Sequence, residues 1–200
     1  MELVVGASVS DLAAGGPLPP RLVLEIGIQT CAGLSHIHAL ALDGRPAGLV
    51  HRDIKAQNLL VDRSGLVKVA DLGVAGTAEG SATGVATAGY TAPEQLDRCP
   101  EARSDLFSLG VVLYLLATGV RPFGRGPDAL HAVRASEARL AEPGFLAPVE
   151  QALPGLGVVV GRCLRADPAD RWSSAQELGA ALGALRPRPV HGSQRPEPAL

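Results

Sequence analysis

The chain has 200 residues, a formal net charge of −2 and 46% hydrophobic residues. This length can bury a substantial core and suggests one domain with a tail, and the apolar content excludes disorder throughout. The near-neutral balance offers no basic field for nucleic acid and no polybasic run for an anionic membrane. Cys31, Cys99 and Cys163 are scattered without metal-type spacing, which predicts reduced thiols and a cytoplasmic location. The N-terminus lacks the basic start of a signal peptide. The longest apolar stretch, Leu106 to Val120, falls short of the roughly 18–20 residues that span a bilayer.

Residues 1–5 read as the end of a strand, and Gly6 to Gly16 as a turn and a short helix. Pro19-Pro20 opens a long helix, because proline is tolerated in a first turn. Val23, Ile26, Thr30, Leu34 and Ile37 recur at helical spacing and predict an amphipathic helix from about Arg21 to Leu40. On it, His36 and His38 face different sides, so they read as packing or surface groups rather than a shared metal site. Asp43-Gly44-Arg45-Pro46 is turn chemistry.

Residues 49–75 predict short β pieces, with a hairpin turn at Asp62-Arg63-Ser64-Gly65. Gly76 to Ala88 has no periodicity and predicts an exposed loop. From Ser104 the pattern is helical again. Leu106, Leu109, Leu113 and Leu116 form one stripe, while Phe107, Val111, Val112 and Leu115 fill the other faces, so this helix belongs at the centre of the domain. Residues 128–142 and 147–165 predict two further helices, and Ser173 to Leu185 a last one after Asp167-Pro168. Residues 186–200 hold four prolines and three arginines and read as a disordered tail.

The chemistry concentrates in His51-Arg52-Asp53-Ile54-Lys55-Ala56-Gln57-Asn58 and Asp71-Leu72-Gly73. These polar groups sit beside the apolar runs Leu59-Leu60-Val61 and Val67-Lys68-Val69-Ala70. The pattern resembles the catalytic and metal-binding loops of protein kinases. Thr87 to Glu94 is similar to the segment closing the kinase activation loop, and Ser104 to Gly110 to the start of the family's central helix. Leu72 stands where the family's usual motif has Phe, a minor departure.

The resemblance implies a mainly helical α+β fold, the large C-lobe of a kinase over residues 1–185. It implies transfer of the ATP γ-phosphate to Ser or Thr hydroxyls of protein substrates. Asp53 would orient the acceptor hydroxyl and take its proton, Lys55 would contact the γ-phosphate, and Thr87 would contact both. Asn58 and Asp71 would supply oxygens to Mg2+. The backbones of Glu2 and Val4 would bind adenine above a floor made by Leu60. Arg171 would pair with Glu94, and Asp105 would bond to the backbone of the catalytic loop. His51, Tyr90 and Trp172 read as packing groups. Arg52 raises the prospect of control by phosphorylation at Thr77, Ser81 or Thr83.

A complete kinase also has a Gly-rich loop and a β3 lysine paired with a helix glutamate. Neither occurs in these residues, and Gly6-Ala7-Ser8 lacks the spaced glycines. The expectation is therefore a truncated domain without its small lobe. Two hinge hydrogen bonds contribute about 0.5–1.5 kcal/mol each, against the roughly 8 kcal/mol of micromolar binding. The chain alone is expected to be weak or inactive, with an apolar face open to a small lobe or a partner. The competing reading is a non-catalytic remnant or pseudokinase-like binding module.

Overall fold

The computed structural model describes residues 4–42, 45–46, 48–72 and 88–187. The expectations for Glu2, Thr87, the loop before Ala88 and most of the tail lie outside the described residues.

A small antiparallel sheet carries the chemistry-bearing segment. β1 (Gly6–Ser8) pairs with β4 (Leu59–Asp62), which pairs with β5 (Val67–Val69), in register Ser8 to Leu60 and Leu60 to Lys68. Gly6 to Ser8 was expected as a turn, and it is a strand. Its backbone lies against β4 so closely that a Cβ on Gly6 would stand 1.9 Å from the Val61 carbonyl oxygen. The expected short helix follows as α1 (Val9–Leu12), where Ser8 and Asp11 cap each other's backbone amides.

The predicted hairpin turn between β4 and β5 is present. Asp62 accepts from Ser64 Oγ at 2.6 Å, Ser64 N at 2.8 Å and Leu66 N at 3.0 Å, and Gly65 takes φ +85°. The Ser64 hydroxyl and the Leu66 amide hold the Asp62 carboxyl below the usual carboxylate range. A second ribbon, β2 (Ala41–Leu42) with β3 (Arg45–Pro46), brackets the other expected turn.

The rest is helical. α2 (Pro20–Ala39) matches the predicted long helix, and it buries Val23, Leu24, Ile26, Cys31 and Leu34. Gly27 lets it approach α4 (Ala102–Thr118) and α9 (Ala175–Ala184). A Cβ there would meet methyls of Leu113 and Leu182 at 2.9 Å. α4 is the predicted central helix. Leu106, Phe107, Leu109, Val111, Val112, Leu113 and Leu116 are all fully buried. Each such side chain contributes about 1.5–3 kcal/mol.

The two helices expected over 128–142 and 147–165 are each divided. α5 (Asp128–Arg134) and α6 (Ser136–Ala141) break at Ala135, where ψ is 20°. α7 (Ala147–Ala152) and α8 (Leu156–Cys163) break where Leu153 is extended before Pro154 and Gly155 takes φ +86°. Glu150 secures that second break by accepting from Gly155 N at 2.7 Å and Gly157 N at 3.0 Å.

Two distant segments meet through Arg171, whose side chain is fully buried. It donates to Glu94 Oε1 at 2.7 Å and Oε2 at 2.8 Å, and to the carbonyls of Arg165, Ala166 and Arg103. Glu94 opens α3 (Pro93–Leu96) and also accepts from Ser104 Oγ at 2.5 Å. Burial alone would raise the Glu94 carboxyl, but the Arg171 and Ser104 hydrogen bonds outweigh it and hold it below the glutamate range. A depressed folded pKa stabilises at high pH. This contribution is full above about pH 4.3 and is lost as pH falls through the folded value.

Arg171→Ala strands Glu94 without its partner and is expected to cost about 3–5 kcal/mol, or about 6–20 °C of melting temperature. A melting temperature within two degrees of the wild type contradicts this. In acid titration of stability, Glu94→Gln should flatten the loss below about pH 4.3, and an unchanged acid limb would remove Glu94 from the account.

Candidate active site

The loop from His51 to Asn58 is held from below by Asp105, a fully buried carboxylate in the first turn of α4. Its Oδ1 accepts from Arg52 N at 2.8 Å, and its Oδ2 accepts from His51 N at 2.9 Å. His38 Nε2 lies 2.8 Å from the same Oδ2. The expected bond from Asp105 to the loop backbone is therefore present. The reading of His38 as a mere packing or surface group is corrected, because α2 aims it at the one buried carboxylate below the loop. His36 does not share that contact.

Arg52 takes φ +68°, a left-handed conformation that costs a non-glycine residue about 1–3 kcal/mol. The two amide bonds to Asp105 stabilise it. Gln95, on α3, donates from Nε2 to the Arg52 carbonyl at 3.0 Å, while its Oε1 accepts from Ala92 N at 3.0 Å. One side-chain amide thus ties the segment before Glu94 to the loop. Gln95 does not stand out in the sequence, and His38 there reads only as a packing or surface group. Their identities carry no signal until the fold brings them to the loop.

His51 is buried, as expected, and its ring has a definite role. Nδ1 accepts from Asp53 N at 3.3 Å, which places the proton on Nε2, 3.0 Å from the Ala70 carbonyl. Ala70 N in turn donates to the Asn58 carbonyl at 2.8 Å. These bonds couple the 51–58 loop to Asp71, which also takes a left-handed φ of +57°. Two non-glycine residues in this conformation at one site mark a backbone shaped by its surroundings.

Asp53, Lys55 and Asn58 form one cluster. Asp53 Oδ2 accepts from Lys55 Nζ at 2.6 Å and from Asn58 Nδ2 at 2.9 Å, and Asn58 Nδ2 also donates to the Asp53 carbonyl at 2.9 Å. Asn58 is buried, whereas the Asp53 side chain is 34% exposed and reachable by a reactant. With its Nδ2 directed to Asp53, Asn58 turns its oxygen to the other side. Asp71 is exposed, and it follows β5 as Asn58 precedes β4, so the hairpin register brings both ends together. This pair of hard oxygens fits a Mg2+ ion that keeps several waters. Among the described residues no group of three or more His, Cys, Asp or Glu side chains gathers to hold a metal ion. Leu60 is half-buried on β4, two residues beyond Asn58, and Val4 leads into β1. Burial pushes the Cys31 thiol up to about 12 and raises Cys163 as well, so neither is a nucleophile.

Residues 1–181 match the sequence model of the protein kinase domain. The chain is 35% identical over 192 residues to the serine/threonine-protein kinase PknL of Mycobacterium tuberculosis, covering 92% of this chain and 46% of that protein. It is 34% identical over 210 residues to the serine/threonine-protein kinase PknB of Mycobacterium leprae, covering 98% of this chain and 31% of the other. Among solved structures, the PknI kinase domain of Mycobacterium tuberculosis superposes with a TM-score of 0.68 at 25% identity, over 93% of this chain and 65% of that domain. The chain thus spans less than half the length of these curated relatives. No helix among the described residues is long and apolar enough to cross a membrane.

Asp105→Asn leaves one oxygen for donors that now have two, stranding a buried N–H at about 1–3 kcal/mol. Melting should fall by about 2–12 °C. An unchanged melting temperature would show that the loop does not hang on this carboxylate.

Proposed function

Because the chain belongs to the protein kinase family, we propose that its site transfers the γ-phosphate of ATP to serine and threonine hydroxyls of proteins. The observation that carries this reading is the Asp53 carboxylate, fixed by Lys55 Nζ and Asn58 Nδ2 yet open to solvent. Such transfer passes through a loose transition state, so positioning and charge neutralisation do most of the work. Asp53 orients the acceptor hydroxyl and takes its proton as the new O–P bond forms. Lys55 stands beside that carboxylate, placed to offset charge on the transferred group. Asn58 and Asp71 would hold Mg2+, which would neutralise charge on the phosphates when bound. In the proposed complex the Glu2 and Val4 backbones and the Leu60 side chain would bind adenine, and Thr87 would serve Asp53 and Lys55.

Val5 and Leu12 are 56% and 42% exposed and flank an open cavity beside Val61. Their exposure supports a further lobe or partner covering this face. The requirement for ATP, together with unpaired cysteines, favours action in the cytoplasm. No observation favours a purely non-catalytic module.

These 200 residues hold no run of spaced glycines to cover the phosphates. Assayed alone with ATP, Mg2+ and a Ser/Thr protein substrate, they should therefore transfer phosphate slowly. Asp53→Asn should reduce that transfer by roughly 10²–10⁴-fold. Measurable transfer that Asp53→Asn leaves unchanged would sink the kinase reading. Brisk turnover would sink the claim that the phosphate cradle is incomplete.

A further inference from the structure

The peptide unit joining Arg52 to Asp53 sets where the Asp53 side chain starts. Its carbonyl accepts from Gln95 Nε2 at 3.0 Å. Its N–H donates to His51 Nδ1 at 3.3 Å, a longer and weaker bond. Asp105 does not reach this unit, because it accepts the amides of His51 and Arg52, which belong to earlier peptides. Lys55 and Asn58 act further on, at the Asp53 carboxylate and carbonyl. Asp105 therefore holds the peptide before Arg52 and Gln95 the peptide after it. Together they bracket the left-handed φ of +68° at Arg52.

Gln95 is set for this by its own segment. It is the third residue of α3. Its N–H bonds the Ala92 carbonyl at 3.0 Å, and its Oε1 accepts from Ala92 N at 3.0 Å. Capping uses the amide oxygen, so the amide nitrogen faces away from Ala92 and toward Arg52. The segment that fixes this orientation is itself firm. Ala92 is fully buried, and Ser108 Oγ donates to the Tyr90 carbonyl at 2.7 Å. A glutamate would have the same length and could cap Ala92 as well, but its carboxylate has no N–H for the Arg52 carbonyl.

We propose that Gln95 is a positioning residue for phosphoryl transfer. Through the Arg52 carbonyl it fixes the peptide from which Asp53 projects, and so aims the Asp53 carboxylate at the acceptor hydroxyl. The inference rests on the kinase reading. It makes the aim of Asp53 conditional on the 88–92 segment, because the donor faces Arg52 only while Ala92 N occupies the amide oxygen.

Two variants test it. Gln95→Glu keeps the bond to Ala92 but turns an oxygen toward the Arg52 carbonyl. Gln95→Met keeps the bulk and removes both bonds without adding charge. Amide hydrogen exchange of the ligand-free 200-residue chain is followed at His51, Arg52 and Asp53. In both variants the Asp53 amide should exchange roughly tenfold faster, as loss of one hydrogen bond from its peptide implies. The His51 and Arg52 amides, held by Asp105, should keep their wild-type rates. Transfer from ATP to a Ser/Thr protein substrate should fall roughly 10–100-fold in kcat with KM for ATP unchanged, as a misplaced group rather than lost binding would cause. Equal acceleration at all three amides would show a merely structural role and overturns the proposal. So does an unchanged Asp53 amide, a kcat that survives both variants, or an effect confined to Gln95→Glu, which would be one of charge. Failure of the kinase reading shows itself elsewhere, in Asp53→Asn with wild-type transfer, and not in the exchange rates.

Discussion

Asp105 joins three parts of the chain that are far apart in sequence. Its carboxylate, buried in the first turn of the central helix, accepts the amides of His51 and Arg52 and meets His38 from α2. A buried carboxylate is costly unless its lone pairs are met. Here the donors meet them, and the positive end of α4 adds to the stabilisation. The dependence runs both ways. The anion needs the loop's amides, and the loop needs the anion to keep Arg52 at φ +68°. From that anchor the order passes along the chain. His51 bonds Ala70, Ala70 bonds Asn58, and Asn58 bonds Asp53.

The Glu94–Arg171 pair supports the same frame from the other side. Ser104 bonds Glu94 and immediately precedes Asp105, so the pair and the carboxylate anchor share one turn of α4. Gln95, next to Glu94, reaches the Arg52 carbonyl. A disturbance at Arg171 therefore has a short path to the loop through two neighbouring side chains. The C-terminal helices, through Arg171, thus help hold the 51–58 loop in place. The solvent-facing side of Asp53 is left open, as the proposed transfer to a hydroxyl requires.

Much of this was legible in the sequence. The long helices announced themselves by apolar spacing, α2 by its stripe and α4 by being apolar on every face. The Asp62 turn was readable from local chemistry alone. The Asp53, Lys55, Asn58 and Asp71 set was readable from its spacing and its family resemblance. Other features were hidden for physical reasons. The strand at Gly6–Ser8 depends on pairing with residues over fifty positions away, and three residues are too short to show a period. The break at Ala135 lies in sequence with good helix formers and has no Gly or Pro to mark it. The break at Gly155 had a signal in Leu153-Pro154-Gly155, and the apolar run around it masked that signal. His38 and Gln95 gain their roles only through tertiary contact.

These residues assemble the 51–58 loop before any ligand arrives. Hydrogen exchange at the backbone amides of His51 and Arg52 in the ligand-free chain tests it most directly. If Asp105 holds them, both amides exchange only through openings near the free energy of global unfolding, alongside the core of α4. Exchange at the rate of an exposed loop, while α4 stays protected, would show that the loop is not built in advance and would contradict the account.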